Sequence, residues 1–149
     1  MRKSLLVLCT FLWLCIGFPA HAQDTTYEAQ FLDETDTVPI YCVDTIETSM
    51  KDLVEYGNVI YLTTNRKPDT PMEYAKERYT ELYGEEDGVL LLVVEDSTRK
   101  YACIYTSGIF CDIDASLEDI TAKASDNVAH YDYDDCAKDA FYSIYRALP

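Results

Sequence analysis

The seven residues Gly88-Val89-Leu90-Leu91-Leu92-Val93-Val94 constrain this chain more than any other stretch of it. A strand that is apolar at every position has no face to give to water. It must be covered on both sides, as strands of parallel sheets flanked by helices are. A polar turn, Glu95–Lys100, follows, and then Lys100–Thr106 alternates, with Tyr101, Cys103 and Tyr105 on one face and Ala102 and Ile104 on the other. So short a turn pairs the two strands antiparallel.

The residues before this hairpin supply one of the covers. Asn58–Thr64 is β-branched and aromatic and reads as a central strand. The helix after it is well marked: Thr70 as N-cap, Pro71 in the first turn, Glu73 as capping-box partner, a stripe of Met72, Ala75, Tyr79, Leu82 and Tyr83, and Gly84 as the stop. Strand, helix and strand form a βαβ unit with parallel strands and a right-handed crossover. Upstream, Ile46, Met50, Leu53 and Val54 stripe a helix from Asp44 that stops at Gly57. Val38–Cys42 reads as a short edge segment, because Pro39 would spoil a central strand.

Two helices close the chain. Leu117, Ile120, Ala124 and Val128 stripe one, capped by Asp114 or Ser116; Cys136, Ala140, Phe141, Ile144 and Leu148 stripe the other, with Asp132 or Asp134 before it. The expectation is an α/β fold: a three-layer α/β/α sandwich on a small mixed sheet of three or four strands, with one βαβ unit and one antiparallel hairpin.

Residues 1–22 read as a secretory signal peptide. Arg2 and Lys3 are the positive start, Leu5 to Phe18 the apolar core, and Ala20-His21-Ala22 the cleavage signature. Cleavage there leaves Gln23–Pro149 as an exported, periplasmic or secreted, domain. Residues 23–37 read as an acidic flexible lead-in and residues 38–149 as a single folded domain. The signal takes two of the 12 basic residues and none of the 27 acidic ones, so the net charge of −15 becomes −17. That charge repels phosphate backbones and argues against nucleic acid, while it attracts divalent cations and basic proteins. No later segment approaches the ~20 apolar residues of a membrane span. With His21 removed, His130 is the one remaining histidine, at a helix end, which leaves no HExxH motif and no His-rich metal cluster.

Four cysteines remain, Cys42, Cys103, Cys111 and Cys136, without CxxC spacing. In an oxidising compartment they predict at least one disulfide among three connectivities. Cys42–Cys111 is the expected pair, flanking Asp44 and Asp112, with Cys103 and Cys136 as buried thiols.

The ordered series Tyr74-Ala75, Gly84, Glu86-Asp87-Gly88-Val89-Leu90-Leu91-Leu92-Val93, Arg99-Lys100 and Ser107-Gly108 resembles the TPM domain family. The resemblance continues faintly through Asp114-Ala115 and His130–Asp134, and spans about residues 40–148. It implies an α/β/α sandwich in an envelope or thylakoid-lumen protein, and connects the chain with acid phosphatase activity, calcium binding or an accessory role. The chain departs from the family pattern at Glu86, where Asp is usual, at Asp87, where Asn is usual, and at Thr106, where glycine is usual.

The antiparallel hairpin brings Glu86 and Asp87 near Asp112 and Asp114. If Asp44 approaches too, an oxygen-only set collects at one end of the sheet, of the kind calcium takes. Two functions compete. One is a non-catalytic accessory or protein-interaction module of the envelope, with or without calcium, contacting an envelope protein through a patch such as Tyr131-Asp132-Tyr133-Asp134. The alternative is a metal-assisted acid phosphatase with Arg99 on the phosphate. Arg99, however, falls at the far end of the strands from Glu86 and Asp114.

Overall fold

The computed structural model describes residues 26–113 and 115–149. The signal segment 1–22 and Asp114 lie outside the described residues. The elements run β1 (Ala29–Asp33), α1 (Ile40–Met50), β2 (Asn58–Thr64), α2 (Pro71–Tyr83), β3 (Gly88–Glu95), β4 (Lys100–Ser107), α3 (Leu117–Ala129) and α4 (Tyr133–Ala147). Short 3₁₀ turns at Leu53–Glu55 and Gly108–Asp112 join them. The strands lie in chain order, β1-β2-β3-β4, with β1, β2 and β3 parallel and β4 antiparallel to β3. This is the expected mixed α/β sandwich with its βαβ unit and hairpin.

The apolar run lies where its composition requires. All seven residues Gly88–Val94 are buried, with β2 on one side and β4 on the other. Val89, Leu91 and Val93 face a core closed by α1, α3 and α4, while Leu90, Leu92 and Val94 face α2. Each fully buried aliphatic side chain contributes about 1.5–3 kcal/mol relative to exposure.

The two parallel connections differ in hand. Going from β1 to β2 and from β2 to β3 moves the same way across the sheet, yet α1 and α2 cover opposite faces. One of the two crossovers is therefore left-handed, against a strong right-handed rule.

Two segments correct the sequence reading. The lead-in contributes β1, whose five residues pair in register from Ala29↔Val59 to Asp33↔Thr63. The folded unit thus starts before residue 38. Val38–Cys42 is not an edge segment: Pro39 is the N-cap of α1, and Ile40, Tyr41 and Cys42 are its first turn. Proline is well suited to a helix start, where no intrahelical N–H is needed. In α2, Thr70 and Glu73 do meet, but hydroxyl to carboxylate, and Thr70 makes no side-chain bond to the backbone.

The expected Cys42–Cys111 disulfide is also corrected. The four cysteines among the described residues are free thiols. Cys42, in the first turn of α1, sits at the end of the sheet where the parallel strands finish. Cys111 follows β4, at the end where they begin. Burial raises the thiol pKa of Cys42, Cys103 and Cys136, the last to about 12.

Candidate functional site

At the end where the parallel strands begin, Glu86 and Asp87 of the expected acidic set are found tied into hydrogen bonds. Asp87 accepts hydrogen bonds from the Tyr27 hydroxyl (3.1 Å) and from the Ile109 backbone N–H (2.9 Å), while its carbonyl takes the Asn58 N–H (2.8 Å). The Tyr79 hydroxyl, 2.9 Å from that carbonyl and 3.0 Å from the Glu86 carbonyl, shares one proton between them. Burial raises the pKa of this hydroxyl. The Asn58 side chain donates to Glu86 Oε2 (2.9 Å) and accepts from the Glu28 N–H (3.0 Å).

Glycines make this closeness sterically feasible. A Cβ on Gly88 would lie 2.2 Å from both the Asn58 carbonyl oxygen and the Tyr79 hydroxyl. One on Gly108, whose φ is +59°, would lie 1.7 Å from Asp87 Oδ1. The Glu86-Asp87-Gly88 motif is thus a knot tying β1, β2, α2, β3 and the Gly108–Asp112 turn.

These residues leave few open oxygens for a calcium ion. The ion takes 6–8 oxygen ligands, whereas both Asp87 oxygens already receive protein donors. Asp112 is exposed at the end of its 3₁₀ turn, and Asp44 is exposed on α1, which starts at the opposite end of the sheet. Among the described residues no group of three or more His, Cys, Asp or Glu is arranged to hold a metal. The described part of the expected set does not fit a calcium ion.

Arg99 is as far from this knot as the hairpin allows. It lies in the β3–β4 turn, against Asp96 and over the Tyr101 ring at 5.0 Å. Seven residue steps of β3 separate it from Gly88, roughly 24 Å at strand rise.

The opposite end, where the parallel strands finish, has a different character. α1 and α4 both start there, joined by the Cys42 thiol donating to Asp134 Oδ1 (3.7 Å). Ile40 (86% exposed) and Tyr41 (78%) project from α1, and Tyr131 (65%) from the turn before α4. Among the described residues two non-glycine residues have positive φ, Asp36 (54°) and Tyr131 (68°), and both lie in loops at this end. Such backbone costs about 1–3 kcal/mol and persists only where its surroundings enforce it.

For Tyr131 the cause is the close of α3: its N–H bonds the Val128 carbonyl and the Asp132 N–H bonds the Asn127 carbonyl, each at 3.0 Å, which puts the residue after the helix in the left-handed region. Lys100 packs on its ring. Its ammonium sits 3.8 Å above the Tyr131 ring and donates to Tyr133 Oη and Glu95 Oε2, each at 2.9 Å. Burial would lower the pKa of Lys100, but the hydrogen bonds to Tyr133 and Glu95 outweigh it and raise the pKa. Beneath, the Tyr61 hydroxyl and Glu95 Oε1 are buried without a hydrogen-bond partner among the described residues. Burial first, then nearby Cys136, Tyr133 and Glu95, push the Tyr61 pKa well up.

Asp33 organises the loop that leads to Ile40. It accepts from the Thr35 N–H (3.0 Å), the Thr35 hydroxyl (2.6 Å), the Val38 N–H (3.2 Å) and the Thr63 hydroxyl. Burial raises its pKa, but these hydrogen bonds prevail and hold the carboxyl below its ordinary value. Of this end, the sequence singled out the Tyr131–Asp134 run. It missed Ile40, Tyr41 and Lys100; Pro39 as a helix-start signal could have placed the first two.

Neither any protein-family model nor any curated protein sequence matches this chain. Solved structures do. The fold is similar to the N-terminal domain of a P. gingivalis protein (12% identity, TM-score 0.63, covering 78% of this chain and 80% of that one). It is also similar to the N-terminal domain of the cg2496 protein from Corynebacterium glutamicum (13%, 0.58, 89% and 85%). At such identities the likeness is one of fold. Among the described residues no helix is long and apolar enough to cross a membrane.

Proposed function

We propose that this chain is an exported TPM-like domain serving as a non-catalytic accessory, protein-interaction module of the cell envelope. Its contact edge is the end of the sheet where β1, β2 and β3 finish. The observation that carries this reading is the exposure of Ile40, Tyr41 and Tyr131 together at that end, with Tyr131 fixed by the hydrogen-bonded close of α3 and by its ring contact with Lys100. Exposed aromatic side chains on a fixed backbone are what a preorganised contact surface needs. Calcium is no part of the reading, since both Asp87 oxygens have protein donors and Asp44 lies at the opposite end of the sheet from Asp87 and Asp112. The phosphatase alternative loses its composite site for the same reason, because Arg99 and the Asp87 knot stand a strand length apart.

The test is site-specific photo-crosslinking in the producing cell. A crosslinker at Tyr41 or Tyr131 should give a discrete adduct with an envelope protein, and one at Glu77 on the outer face of α2 should give none. Equal adducts at all three positions, or none at Tyr41 and Tyr131, would sink the proposal.

A further inference from the structure

The two edge strands of the sheet are finished differently. On the outer edge of β4, α3 lies alongside, and the Ser125 hydroxyl serves Ala102 twice, accepting from its N–H (2.9 Å) and donating to its C=O (3.3 Å). On β1 the ladder consumes one set of groups. The Glu28 carbonyl takes the Val59 N–H, and the Glu34 N–H reaches the Thr63 carbonyl. By the two-residue repeat, Gln30 and Leu32 also face β2, which leaves the N–H and C=O of Ala29, Phe31 and Asp33 directed outward. Among the described residues nothing bonds to those six groups. Phe31, stacked on Tyr61 at 5.8 Å, and Leu32 are each only partly buried, on opposite faces of the sheet.

We infer that β1 accepts an added strand: an extended segment of a partner protein, with basic and apolar residues alternating. An unpaired strand edge is a template for exactly one kind of ligand backbone, an extended one, whose side chains then cover both faces. Charge selects the partner. Glu28 and Asp36 flank the strand, with Glu34 beside it already paired to Arg78 at 3.1 Å, and the chain carries a net charge of −15. That disfavours pairing of β1 with a second copy of itself and favours a basic segment. The inference rests on the reading of the chain as an interaction module and adds a second contact, with a stated partner chemistry.

The experiment uses the 15N-labelled protein and a nine-residue peptide of alternating lysine and valine, blocked at both ends. Amide exchange is followed by NMR. On peptide addition, exchange at Ala29, Phe31 and Asp33 should slow at least about tenfold, as expected when exposed amides become ladder donors. The same peptide N-methylated at alternate positions should give no such slowing. Ala29→Pro, which removes one outward donor and no bond to β2, should weaken binding about threefold to tenfold, the value of one net hydrogen bond. Unchanged exchange at the three amides with saturating peptide overturns the inference, as does slow exchange there in the free protein. Perturbation confined to Ile40, Tyr41 and Tyr131 overturns strand addition while leaving the interaction-edge reading standing. Loss of crosslinks at Tyr41 and Tyr131 with β1 still protected does the reverse.

Discussion

The two ends of the sheet use polar residues in opposite ways. Where the parallel strands begin, Asp87, Asn58, Tyr79 and Glu86 satisfy one another within a space cleared by Gly88 and Gly108. Where they finish, Ile40, Tyr41 and Tyr131 stand exposed, two loops carry positive φ, and Tyr61 and Glu95 keep buried atoms without hydrogen-bond partners among the described residues. The first end is built for stability, and its carboxylates have little left to offer a ligand. The second is braced but unfinished. An acidic motif that stands out in a sequence can therefore be the mortar, while the surface for recognition is assembled at the other end.

This contrast can be broken or sharpened by mutation. The largest effect should come from the knot. Gly88→Ala drives a methyl group into the Asn58 carbonyl, and should cost about 3 kcal/mol or more in denaturant unfolding. Gly108→Ala, which adds left-handed strain to a clash with Asp87, should cost a similar amount. A cost below about 1 kcal/mol for both would mean the knot is slack. Next comes Asp87→Asn, expected to lose about 1–1.5 kcal/mol, because one of its two donors, one partly buried and one exposed, then meets an amide N–H. Tyr27→Phe combined with it should be less than additive, as measured in a double-mutant cycle.

At the other end the effects should shrink. The folded-state pKa of Asp33 is depressed, so the stability it adds is present above its ordinary value near 3.8 and lost as pH falls through the depressed value. Asp33→Asn should therefore be about 1 kcal/mol less stable at pH 7, with the difference closing below about pH 4. An undiminished difference at pH 2 would show that the carboxylate charge is irrelevant to that loop. Smallest of all, Ile40→Ser and Tyr41→Ser should change stability by no more than about 0.5 kcal/mol, since both side chains are mostly in water. A large loss in either would reveal them as packing residues and remove the main support for a contact edge.

Much of the architecture was legible in the residues. Gly88–Val94 announced a doubly covered strand, and Thr70, Pro71 and Gly84 bracketed α2 to the residue. β1 was not legible. Its side chains, Ala29 to Asp33, are only partly buried, and it draws its order from β2, thirty residues away, rather than from its own pattern. α1 was misread at its start because Val38 and Ile40 favour strands, whereas Pro39 acts as its cap. The acidic residues of the knot were seen to approach the end of the hairpin. Their occupation was hidden, because the Tyr27 hydroxyl that holds Asp87 comes from sixty positions upstream. Lys100 could not be distinguished from any surface lysine until Tyr131, Tyr133 and Glu95 closed around it.

The strand order also bears on how the protein is made. With β1, β2, β3 and β4 adjacent in the order in which they are synthesised, each strand is added to the growing margin of the sheet, and none has to be wedged between two already in place. Synthesis proceeds N-terminus first, so the sheet can grow as its strands emerge. Yet α3 and α4, which close the face of Val59, Tyr61, Val89, Leu91 and Val93, are the last to be made. Until residue 129 is available that face has only α1 over it, and it is not closed before residue 147, so the newborn chain passes through a stage with one side of its sheet largely bare. That interval is when a chaperone would have most to hold.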